Sequence, residues 1–104
     1  MEESPLTGIQ ARIRRRDYRF TLHAAARMIE RDISVREVEE AVLSSVAEVI
    51  ENYPGGRRKP SCLVFGLTGG RRPLHVQCIC PPDVAIITAY EPKPEEWADW
   101  RVRK

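Results

Sequence analysis

In the stretch TLHAAARMIER, Thr21 to Arg31, a histidine and two arginines recur at every fourth position: His23, Arg27 and Arg31. On a helix of 3.6 residues per turn that spacing makes one continuous stripe. It joins a side chain that titrates near neutral pH to two permanent cations whose planar forks fit phosphate. Thr21 is suited to cap the helix, which puts His23 in the first turn. Free N–H groups and the positive helix end favour an anion there, and an imidazole beside it can serve as a general base. The plainer alternative is a solvated face, with Arg27 and Arg31 paired to Glu30 or to acids of the next helix.

A second histidine stands inside the alternating run PLHVQCIC. Leu74, Val76, Cys78 and Cys80 face one way on a strand, and His75, Gln77 and Ile79 the other. Tyr53 and Tyr90 close two further strand-like runs, and Arg58 and Lys59 precede a third. These side chains suit metal-independent RNA cleavage. A base takes the 2′-OH proton, the oxygen attacks the neighbouring phosphate, cations hold the developing charge, and an acid protonates the leaving 5′-oxygen. DNA, lacking the 2′-OH, would be inert. His23, His75, Arg27 and Tyr90 are then the catalytic candidates, and Arg31, Lys59, Arg58, Tyr53 and Gln77 the substrate-binding ones.

No metal and no other cofactor is expected. Metal-assisted cleavage would call for clustered carboxylates near the basic groups. Cys62, Cys78 and Cys80 lack the paired spacing of zinc ligands, and His75 points away from the last two. The cysteines read as small buried hydrophobes.

The elements that must carry these residues follow from periodicity. A first helix spans about Pro5 to Arg16, with Leu6, Ile9 and Ile13 inward. The second presents Leu22, Ala26, Ile29 and Ile33 as its apolar stripe, with the His23 stripe bordering it. SVRE is a capping box that opens a third helix at Ser34, burying Val35, Val38, Ala41 and Val42. Strands are expected over Val46 to Tyr53, Ser61 to Leu67, Pro73 to Cys80 and Val84 to Tyr90. Tyr18 to Phe20 reads as a short extended connection. The tail restarts a short helix near Pro94, carrying Trp97 and Trp100. The class is α+β: two to three N-terminal helices on one face of a four-stranded, mostly antiparallel sheet, with a short C-terminal helix. The other sheet face is expected to be open, displaying His75 and Gln77.

The chain of 104 residues suits a single domain over 1–104, with a core at 19–97, a basic N-terminal helix in 1–18 and a basic tail at 98–104. The acidic start Met1-Glu2-Glu3-Ser4 is no secretory signal, and no apolar run reaches the ~20 residues of a membrane span. A cytoplasmic location is expected. Net charge is only +2, yet the cations fall in blocks: Arg12 to Arg19, Arg57 to Lys59, Arg71-Arg72 and Arg101 to Lys104. Separated basic loops can bind a polyanion despite near-neutral total charge.

The ordered set LHAAARMIERDIS, VIENYP, PSCLVFG, RPLHVQ and IITAYEP, followed by Trp97, resembles the bacterial domain-of-unknown-function family 4258 from about Arg19 to Trp97. That family is similar to the RelE, BrnT and MqsR toxins of type II toxin–antitoxin systems. The resemblance implies a RelE-like α+β fold and a metal-independent endoribonuclease. The implied partners are mRNA as substrate and a cognate antitoxin of zinc-ribbon or helix-turn-helix type; a homodimer is a further option. His23, Arg27, Arg31, His75, Tyr90 and Pro92 match the family pattern. Asp32 stands where a glycine would usually end the helix, and aspartate tolerates the left-handed conformation.

The rival expectation is a non-catalytic module of the same fold that binds nucleic acid or a protein. A His75 that is fully buried and bonded to backbone, with His23 remote from it, would favour that rival.

Overall fold

The computed structural model describes residues 4–104, so the acidic start Met1 to Glu3 lies outside it. Three helices come first: α1 at Pro5–Arg14, α2 at Leu22–Glu30 and α3 at Val35–Leu43. A short strand, β1 at Arg19–Phe20, lies between α1 and α2. Then follow β2 at Glu48–Tyr53, β3 at Ser61–Leu67, β4 at Pro73–Ile79 and β5 at Ala85–Tyr90. Two short strands end the chain, β6 at Trp97–Ala98 and β7 at Val102–Arg103.

Helices α2 and α3 start where Thr21 and Ser34 predict, and α1 starts after a cap at Ser4. The Ser4 hydroxyl accepts the Leu6 N–H, Thr21 accepts that of Ala24, and Ser34 and Glu37 form both halves of a capping box. Asp32 does adopt the left-handed conformation after α2, at φ +54°.

Ile9 and Ile13 of α1, Ala24 and Met28 of α2, and Val38, Ala41 and Val42 of α3 form one core with Cys62, Val64, Leu74, Val76 and Cys78. The helices therefore cover one sheet face. Gly66 of β3 sits against α3 so closely that a Cβ there would overlap the Ala41 carbonyl. Glycine is required at that contact.

Three expectations are corrected. The sheet has five strands in the order β1-β5-β4-β3-β2, because Arg19–Phe20 pairs parallel to Ala85–Ile86. Two residues show no alternation, and their partner lies far along the chain.

The tail forms a hairpin rather than a helix. One helical turn begins, with the Lys93 carbonyl accepting the N–H groups of Glu96 and Trp97. Asp99 and Trp100 then reverse the chain at φ +51° and +62°, and β6 pairs antiparallel with β7.

The inward face of α2 is also rotated from the expected one. Leu22 and Ile29 are 91% and 82% exposed, while Ala24, Met28 and Ile33 are buried. Arg31 follows Ala24 by seven residues, two turns, so the arginine stripe lies beside the buried line. Likewise Val35 of α3 is exposed, although Val38, Ala41 and Val42 are buried as expected.

Candidate functional site

His75 sits mid-sheet on the face away from the helices. Its β-ladder partners are Phe65 on one side and Tyr90 on the other. At His75 that face is not open, although Gln77 further along it stays partly exposed. The β6–β7 hairpin lies across it, and His75 is fully buried. The Trp97 and Tyr90 rings meet the imidazole nearly edge-on at centroid distances of 4.4 and 5.2 Å.

Both ring nitrogens are engaged. Nε2 lies 2.6 Å from the Trp100 carbonyl oxygen, which can only accept, so Nε2 carries the proton. In the neutral ring Nδ1 is then an acceptor, and the Tyr90 hydroxyl donates to it at 3.1 Å. Burial holds the His75 imidazole below its ordinary pKa, against the opposing pull of the Trp100 carbonyl. Burial likewise raises the Tyr90 phenol, which keeps its proton to donate.

The hairpin is fastened at its rim. Arg101 bonds Glu48 at 2.9 Å and stacks over Phe65, with its guanidinium 4.6 Å from the ring centroid. Arg103 bonds Glu51 at 2.7 Å and stacks over Trp97. The Arg103 bond, more than any other contact, holds the Glu51 carboxyl below the usual carboxylate range.

Past the end of β1, α2 lies along the free edge of β5. The Thr21 hydroxyl donates to the Ile87 carbonyl, and Arg31 donates to the Ala89 carbonyl at 3.0 Å. Arg31 and Tyr90 share a cleft of about 600 Å³ with Arg72, Glu91, Lys93 and Glu96. Arg72 is a tie rather than a free cation. It bonds Glu91 and Glu37 and donates to the last carbonyls of the α2 turn, Arg31 and Asp32, at 3.2 and 2.9 Å. Among the described residues, Arg31 and Lys93 have no carboxylate partner.

A second cavity, about 460 Å³, opens on the His75 side of the sheet toward the β2–β3 loop. Tyr53, Arg58, Lys59, Ser61, Gln77 and Ile87 line it. The Gln77 amide donates to Ser61 Oγ at 3.2 Å. The Tyr53 hydroxyl donates to Glu51, and burial with that bond pushes the phenol up to about 12. Lys59 is ion-paired with Asp83.

The fold thus brings His75 to Tyr90, Tyr90 to Arg31, and Tyr53, Arg58, Lys59 and Gln77 to one cavity. It does not bring His23 to His75. His23 is exposed on α2, in the helix layer, and has no part in the enclosure of His75. Arg27 pairs with Glu30 on its own helix. The groups that the sequence did not single out are Lys93, Arg72 and the Trp100 carbonyl. Arg72 was visible only as half of a basic pair, and a backbone carbonyl leaves no sequence signal.

Among the described residues there is no group of three or more His, Cys, Asp or Glu placed to hold a metal, and the three cysteines are free. Cys62 and Cys78 are buried within the helix-side core, as small hydrophobes would be. No helix of the described residues is long and apolar enough to cross a membrane.

This α+β chain belongs to a recognised sequence family. Residues 20–91 match the model described as Domain of unknown function (DUF4258), and the chain is a member of that family. No curated protein and no solved structure matches it. Helix α1 and the β6–β7 hairpin lie outside the matched segment.

Proposed function

We propose that the chain binds RNA, as a non-catalytic module of the RelE-like toxin class. The observation that carries this is the cavity lined by Tyr53, Arg58, Lys59 and Gln77. A cation with no ion pair among the described residues at Arg58, beside the Asp83-paired Lys59, an aromatic ring for stacking and an amide for a base edge are groups by which proteins hold a single-stranded nucleotide. The enclosed His75 counts against a two-histidine nuclease, since neither nitrogen is free to meet a substrate. A cytoplasmic setting and an antitoxin partner go with the toxin-like reading.

A second reading, metal-independent cleavage, is favoured by one observation: Tyr90 lines the Arg31 cleft while its hydroxyl donates to His75. Here Tyr90 is the catalytic residue and His75 a positioning base behind it. The Tyr90 oxygen takes the ribose 2′-OH proton as its own proton passes to His75 Nδ1. The 2′-oxygen bonds to phosphorus, and the bond to the 5′-oxygen breaks with that oxygen taking a proton from solvent. Arg31 and Lys93 hold the extra charge.

One experiment separates the two. A labelled single-stranded RNA is titrated with the chain in EDTA at about 50 mM salt, where phosphate contacts are strong. The module reading expects binding without cleavage, weakened about tenfold by Tyr53→Ala or Gln77→Ala, on the order of one lost base contact. Cleavage that disappears in Tyr90→Phe would move the assignment to the second reading. Absence of both binding and cleavage would reject both.

A further inference from the structure

The cavity of Tyr53 and Gln77 ends at the Lys59–Asp83 ion pair, and a second hollow begins on its other side. That hollow, about 280 Å³, is lined by Arg12, Asp17, Tyr18, Arg19, Pro82 and Asp83. Two basic blocks that are far apart in sequence, Arg12 to Arg19 and Arg57 to Lys59, therefore meet at one end of the sheet. The backbone secures the meeting. Arg19 donates its N–H to the Val84 carbonyl, and Gly8 of α1 packs so near the β4–β5 turn that a Cβ would lie 2.6 Å from Pro81. The field is felt at Asp83, whose carboxyl is held below the usual range by Lys59 first and by Arg19 and Arg12 behind it.

Few acids balance this end. Asp17 pairs with Arg12 and Arg15, Asp83 with Lys59, and Glu39 accepts a bond from Tyr18. Arg14, Arg16, Arg19, Arg57 and Arg58 form no ion pair among the described residues. The two blocks hold eight of the chain's 17 lysines and arginines, so the remainder of the sequence carries more acid than base. A basic last turn complements a helix dipole, which accounts for Arg12 and Arg14. It does not account for Arg16 and Arg19, which lie beyond the helix.

We propose that this end of the sheet is the docking surface for the phosphate backbone of single-stranded RNA, running from the Arg58–Lys59 loop past Asp83 to Arg16 and Arg19. The inference rests on the RNA-binding reading of the Tyr53–Gln77 cavity and extends it. The cavity holds one nucleotide, and the basic end holds the phosphates that follow. Arg12 to Arg19 lie just ahead of the family-matched segment.

The test measures RNA affinity across a salt series for the unaltered chain, for Arg16→Glu/Arg19→Glu, and for the milder Arg16→Gln/Arg19→Gln, with thermal melting as the check on folding. The expected result is a loss of tenfold or more for the glutamate pair and a smaller loss for the glutamine pair. The slope of log affinity against log salt should fall by about 1.4, at ~0.7 per single-strand phosphate contact. Unchanged affinity and slope in both pairs, with Gln77→Ala still weakening binding, would overturn the inference and leave the cavity reading standing. Loss in the arginine pairs with none in Tyr53→Ala and Gln77→Ala would support the basic end and reject the cavity. Competition by polyglutamate as strong as by unlabelled RNA would overturn the nucleic-acid assignment.

Discussion

His75 is a polar residue placed where an apolar one would be expected, and its two hydrogen bonds are the physical reason it is tolerated. An unpaired imidazole at that depth would lose its hydration without return. Tyr90 and the Trp100 carbonyl supply both partners, and among the described residues no buried side-chain polar atom is left unbonded. The neutral ring is the form that fits, which couples folding to pH. The folded-state value lies below the ordinary 6.5, so the unfolded chain binds the extra proton first on acidification. Stability from this site is complete above about pH 6.5 and is lost as pH falls through the folded value. Between pH 7 and 5.5, where carboxylates contribute little, the melting temperature should fall. His75→Gln, whose amide can still donate to the Trp100 carbonyl, should flatten that fall. An equally steep fall in the variant would show that another group carries the pH dependence.

At the scale of elements, the features that shape the candidate site are close backbone contacts. The β6–β7 hairpin covers the His75 end of the sheet face and leaves the Gln77 end open. It does so with two non-glycine residues in left-handed conformation, Asp99 and Trp100, which cost of order 1 kcal/mol each. The Trp100 carbonyl bond to His75 and the packing of Trp97 offset that cost. On the opposite face α3 rests directly on the backbone of Gly66. Gly66→Ala would push a methyl group into the Ala41 carbonyl, which has no side-chain freedom to yield. The expected cost is about 3 kcal/mol or more, at the upper end of overpacking effects, read as a shift in denaturant midpoint. A loss below about 1 kcal/mol would mean that α3 can slide on the sheet.

The whole molecule has two unlike faces and two unlike ends. The helix-side core holds Cys62 directly opposite Cys78 on neighbouring strands, both fully buried. Burial pushes the Cys62 thiol up to about 12 and raises that of Cys78 as well. Neither is a nucleophile while the protein is folded, because the thiolate is the reactive form. A thiol reagent at pH 8 should therefore label the partly exposed Cys80 quickly, and Cys62 and Cys78 only when the chain unfolds globally. Equal labelling rates for all three would contradict a core that opens as one unit. The uneven charge matters at this scale too, since a basic end on a near-neutral molecule can steer and orient a polyanion during encounter.

What the sequence determined by itself is what depends on near neighbours. Helix starts at Ser4, Thr21 and Ser34, the span of β3, the alternation that sends His75 and Gln77 away from Cys78, and the left-handed Asp32 are all local chemistry. Tertiary structure decided whatever needs a partner far along the chain. It made Arg19–Phe20 a strand by offering it the edge of β5. It turned the Ala24–Met28 line of α2 inward, with Arg31 over β5, and left Leu22 and Ile29 exposed. It covered His75 with a hairpin, separated it from His23, and gathered Tyr53, Arg58, Lys59 and Gln77 around one cavity. Periodicity reports which residues share a face. Only the packing of distant segments sets what that face meets.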